Sequence, residues 1–141
     1  MTVPDKITSI PWAALAAVLG IMMPGVVRAE TISLPSIIGG QVASRQAGPR
    51  PLTLADTAGV KAWLEQHRSG WQPNLATSPV AEFTLILQAD GPAPVMVLSL
   101  WPNAREPDWR RSVLIEYPGT KSSYIRIIPD QDETVLLGFA R

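Results

Sequence analysis

Val60, Trp63, Leu64 and His67 stand at i, i+3, i+4 and i+7, and this spacing predicts one face of an amphipathic helix. The four residues Thr53 to Asp56 just ahead of it have the form of a capping box. Thr53 is able to accept from first-turn amides, and Asp56 sits near the positive helix end. Gly70 is placed to terminate the helix. Gly59 weakens the early turns by about 1 kcal/mol relative to alanine, so the helix depends on packing for its stability.

Beyond a loop from Trp71 to Pro79 the period changes. Phe83, Leu85 and Leu87 alternate with Glu82, Thr84 and Gln88, interrupted only by Ile86, as in a half-buried strand. Asp90 and Gly91 signal a turn. Val95 to Trp101 is almost continuously apolar, which predicts a strand from the middle of a sheet. The charged loop Pro102 to Asp108 leads to a third strand, about Arg110 to Tyr117, which ends at Pro118 and Gly119 in a type II turn. Tyr124 to Ile128 is the fourth strand, closed by Pro129 and Asp130. From Thr134 to Phe139 the alternation of Val135, Leu137 and Phe139 predicts a fifth strand, with a short helix as the competing reading.

These elements predict an α+β domain over residues 52–141, with one N-terminal helix packed on a four- to five-stranded antiparallel meander. The order is similar to that of cystatin-like folds. The similarity is one of architecture, and no motif brings a function with it. Residues 30–51, punctuated by Gly39, Gly40, Ser44, Gly48, Pro49 and Pro51, are expected as a flexible tether, although Ile32 to Ile38 is apolar enough for a short edge strand.

Ahead of the tether, one lysine in the first eleven residues precedes an unbroken apolar run, Trp12 to Met23. Pro24 and Gly25 break that run, and Val27 and Ala29 stand where a signal peptidase inspects the chain. This is the order of a secretory signal peptide, expected over residues 1–29 with cleavage near Ala29. The alternative is an uncleaved anchor. Ile10 to Val27 reaches only the lower limit of a membrane span and holds two prolines and two glycines. Loss of the leader removes Lys6, Arg28 and Asp5, leaving ten basic and eleven acidic residues, too balanced a charge to attract nucleic acid or an anionic membrane surface.

No cysteine occurs in the 141 residues, which excludes disulfides, thiol nucleophiles and thiolate metal sites. An exported domain held together by packing alone fits a bacterial periplasm, and so does the lack of an Asn-x-Ser/Thr acceptor at Asn74 or Asn103. His67 is the only histidine, so neither a multi-histidine metal site nor an imidazole relay is possible; beside Trp63 and Leu64 it reads as a boundary residue. Tyr117 and Lys121 have the spacing of a dehydrogenase pair, but Pro118 and Gly119 forbid the helical turn that such a pair needs. No cofactor is implied.

The meander brings Trp71, Trp101 and Trp109 to one edge of the sheet, together with Arg105, Glu106, Asp108, Arg110, Asp130 and Asp132. Indoles flanked by arginine and acid suit interfaces and sugar-stacking sites, whereas indoles that merely plug the end of a core would be buried. The expected function is accordingly that of a small periplasmic binding or accessory protein, in preference to an enzyme. Its expected contact with another exported or envelope protein runs through Trp71, Trp101, Arg105, Glu106, Asp108, Trp109 and Arg110. Two alternatives stand beside this reading. One is a carbohydrate-binding module for envelope glycans; the other is a minimal hydrolase using Glu106 and Asp108 as paired carboxylates.

Overall fold

The computed structural model describes residues 29–141; the leader expected over residues 1–29 lies outside the described residues except for Ala29. The chain runs β1 (Gly39–Ser44), β2 (Arg50–Pro51), α1 (Leu54–Gln66), β3 (Gln72–Pro73), β4 (Phe83–Gln88), β5 (Pro94–Leu100), α2 (Pro107–Arg110), β6 (Ser112–Glu116), β7 (Ser123–Ile127) and α3 (Asp130–Ala140). All strand pairs are antiparallel, in one seven-stranded sheet of order β2-β1-β4-β5-β6-β7-β3. The two-residue strands at its flanks each contain a proline, Pro51 in β2 and Pro73 in β3.

The α+β class and the four central strands match the pattern in the sequence. Register carries the core across the sheet, because Val42, Leu85, Leu98, Ile115 and Tyr124 pair in succession from β1 to β7. Leu87 opposite Met96 and Leu100 opposite Val113 lie on the same face. Against this face pack Val60, Trp63 and Leu64 of α1 and Leu136 of α3, all buried. Thr53 caps α1 as its spacing predicts, its hydroxyl accepting from the Asp56 amide at 3.0 Å. The helix closes at His67, whose amide donates to the Leu64 carbonyl, and Gly70 follows at φ +87.

Two expectations are corrected. The segment 30–51 is a built part of the sheet, not a free tether. β1 pairs with β4 along all six of its residues, and Ile32, Ile37 and Val42 are buried in the common core. Gly39 and Gly40 punctuate no linker here; a Cβ on Gly40 would fall 2.5 Å from the Ile86 carbonyl oxygen, so glycine permits the close approach of β1 to β4. The second correction concerns residues 134–139, which form helix and not a fifth strand. Their buried positions are Leu136, Leu137 and Ala140, a helical spacing, and Asp130, Asp132 and Glu133 load the first turn of α3 with acid, as its positive end favours. The strands before α1 and this closing helix also depart from a helix-then-meander order.

The two long helices run antiparallel. Gly59 early in α1 meets Phe139 late in α3, while His67 at the end of α1 meets Asp132 at the start of α3.

Candidate functional site

Both long helices cover one face of the sheet, and the groove lies on the other. Alternation along β7 turns Tyr124 and Arg126 toward the helices and leaves Ile125 and Ile127 on the open face. Ile125 pairs with Gln72 of β3, and Ile127 with Ser112 of β6. Above this floor stand two walls. One is β3 with the turn that follows it, and the other is α2, with Asp108 and Trp109. They enclose a groove of about 820 Å³ whose lining is mainly apolar.

Each wall is locally fixed. Asn74 donates from its side chain to the Ala76 carbonyl at 3.0 Å and accepts from the Ala76 amide at 3.3 Å, an Asx-type turn that holds Leu75 at its tip. The Asn74 amide also bonds the Ser123 carbonyl at 3.0 Å, fastening the turn to the sheet. Leu75 is 91% exposed and Ile127 71%, although both line the groove. Across from them α2 begins with Pro107 at a helix start that needs no amide donor, and the Trp109 and Arg110 amides both bond the Glu106 carbonyl at 3.2 Å. The buried Ser112 hydroxyl donates to the Asp108 carbonyl, tying α2 down onto β6.

The three indoles do not converge as the meander suggests. Trp71 precedes Gln72 in an extended segment and so faces the helix side. There it is fully buried, edge-on to Trp63 at 6.4 Å, with the Arg126 guanidinium 5.8 Å from its ring. Trp101 follows Leu100 and falls on the open side; it too is buried, its Nε1 donating to the Pro79 carbonyl at 3.0 Å. Trp109 is half-buried and meets Trp101 edge-on, with 4.8 Å between centroids and 61° between planes. Trp101 thus backs Trp109, and Trp109 alone of the three lines the groove.

Of the charged residues in the expected site, Asp108 lines the groove, while Arg105, Glu106 and Arg110 are exposed outside its lining. Asp130 pairs with Arg111 at 3.5 Å between two well-exposed side chains, a contact of small energetic weight. Burial raises the Glu133 carboxyl above the ordinary carboxylate range, helped by the nearby charge of Asp130 and opposed by Arg111 and Arg110. Among the described residues no group of three or more His, Asp or Glu side chains is arranged to hold a metal ion, and no helix is long and apolar enough to cross a membrane.

Leu75, Ile125 and Ile127 were not foreseen. Their signals were an isolated leucine in a polar loop and a strand, Tyr124 to Ile128, that is apolar on both faces. Compared with protein-family models, with curated proteins and with solved structures, the chain shows no match to any of them.

Proposed function

We propose that this chain is a small exported binding or accessory protein that grips another protein in the groove between α2 and the turn after β3. The observation that carries this reading is the exposure of Leu75 and Ile127 around the half-buried Trp109, on walls already fixed by the Asn74 turn and the Ser112 hydrogen bond. Large apolar groups held in water by a preorganised frame cost little ordering entropy when a partner covers them. Export, with a periplasmic destination, is supported by the signal-like order of residues 1–29.

A glycan platform finds less support, since Trp101 is buried and crosses Trp109 at 61°, leaving no pair of parallel open indoles among the described residues. A hydrolase acting through Glu106 and Asp108 also finds less, because only Asp108 borders the groove and both carboxylates are exposed to water. The test begins with partners captured from a periplasmic extract. Their affinity is then measured by calorimetry for the wild type, Trp109→Ala and Leu75→Asp. Each substitution should weaken binding by about 2 kcal/mol or more, roughly thirty-fold, without lowering the melting temperature much. Unchanged affinity in both variants would refute the groove as the binding surface.

A further inference from the structure

Residues 30–38 form a strap fastened at successive points to distant parts of the chain. The Glu30 amide donates to the Trp71 carbonyl at 2.7 Å, and the Trp71 amide returns the bond to the Glu30 carbonyl at 3.2 Å. The Ile32 amide donates to the Arg68 carbonyl at 2.8 Å, and its side chain lies in the core at 4% exposure. The Ser33 carbonyl accepts from the Tyr117 hydroxyl at 2.8 Å. Ile37 is as deeply buried as Ile32, and the Ile38 amide donates to the Gln88 carbonyl at 2.8 Å. Ala29, just ahead of the strap, is exposed.

The first fastened residue is also the first residue after the expected cleavage point. Hydrolysis there breaks the bond between the Ala29 carbonyl carbon and the Glu30 nitrogen. Water gives its oxygen to the carbon and both hydrogens to the nitrogen, leaving a carboxylate on Ala29 and an ammonium on Glu30. A peptidase grips the chain as an extended strand on both sides of such a bond. Its rate follows the population in which that backbone is free to enter the enzyme. In the folded protein Trp71 already takes both the amide and the carbonyl of Glu30. Freeing the residues just beyond the junction also means drawing Ile32 out of the core.

We propose that folding seals the leader junction, so that residues 1–29 have to be removed before the strap docks. The proposal rests on the export reading above and adds an order of events to it. Every partner of the strap, Arg68, Trp71, Gln88 and Tyr117, lies downstream in the chain. A chain delivered from its N-terminus therefore shows an open junction until those residues have followed and the sheet has formed. A cut made in that interval costs the strap nothing. The new ammonium still has hydrogens for the Trp71 carbonyl, now in a charge-assisted bond.

The test uses the folded full chain in detergent micelles with a purified bacterial signal peptidase, cleavage being timed by mass spectrometry. The reference is a peptide of residues 1–35, which has the same junction and none of the strap's partners. Both should lose residues 1–29, the folded chain about tenfold or more slowly, as withdrawal of one buried isoleucine requires. Ile32→Ser, measured against a peptide with the same change, should bring the two rates together. Should that variant fail to fold, hydrogen exchange of the folded wild type supplies the second measurement, and the Glu30 and Ile32 amides should be protected. Equal rates for wild-type chain and peptide, or unprotected amides, overturn the seal and leave the export reading standing. A peptide that is not cut after Ala29 overturns the export reading, and the seal with it.

Discussion

Phe139 occupies the space that a side chain on Gly59 would need: a Cβ built there falls 2.5 Å from Phe139 Cε1 and 2.6 Å from Cζ. In an isolated helix Gly59→Ala would gain about 1 kcal/mol. Here the ring would have to move, and the backbone that carries it is tied down, since Arg50 of β2 donates to the Phe139 carbonyl at 3.4 Å and to that of Arg141 at 2.6 Å. Gly59→Ala should therefore destabilise the protein, by about 1–3 kcal/mol. A double-mutant cycle with Phe139→Leu in urea unfolding should return a coupling that offsets most of that cost.

A chain beginning at Pro51 should fold poorly or not at all. It lacks β1 and the buried Ile32, Ile37 and Val42, which at about 1.5–3 kcal/mol each approach the whole stability of a small domain, about 5–15 kcal/mol. It also lacks the Ser33 carbonyl, to which the Tyr117 hydroxyl donates at 2.8 Å. Circular dichroism of the truncated chain against the full one is the check, and a melting point within a few degrees would speak against the built-in role of this segment.

The tryptophans should separate into two kinds. Trp71→Ala and Trp101→Ala remove fully or almost fully buried indoles and should each cost on the order of 3–5 kcal/mol. Trp109→Ala should cost far less. In acrylamide quenching, Trp109→Phe should remove an accessible component of the emission that Trp71→Phe and Trp101→Phe leave in place.

Glu133 gives a pH dependence with a defined sign. Its folded-state titration is raised, chiefly by burial and then by Asp130, so the folded protein favours the protonated carboxyl. The associated stability is present below the ordinary glutamate range and is lost as pH rises through the raised value. Glu133→Gln should accordingly raise the melting temperature at pH 7 and leave it nearly unchanged at pH 3, measured by calorimetry at both.

Much of the scaffold was legible because single residues left little choice. Thr53 before the Val60, Trp63, Leu64 stripe marks a helix start, and Leu85 and Leu87 with an unbroken β5 mark the middle of a sheet. What escaped were positions where one local signal serves two structures. Gly40 reads as linker chemistry but permits close strand approach. Val135, Leu137 and Phe139 alternate like a strand, while burial selects Leu136, Leu137 and Ala140. The expected convergence of the three tryptophans failed for a similar reason. Loop order placed Trp71 and Trp101 at the same end of the sheet, but a one-residue difference in parity sends them to opposite faces.

The proline-bearing stubs at the two flanks bear on how the protein behaves when crowded. Fibrils grow by laying new strands along an open border, and that growth needs a run of amide hydrogens long enough to hold register. Each stub offers two residues, one of them a ring nitrogen with no hydrogen to give. The two stubs are therefore poor templates for the addition of another strand. A lesion that peels away either stub would uncover β1 or β7, and with it the seed that the intact molecule withholds.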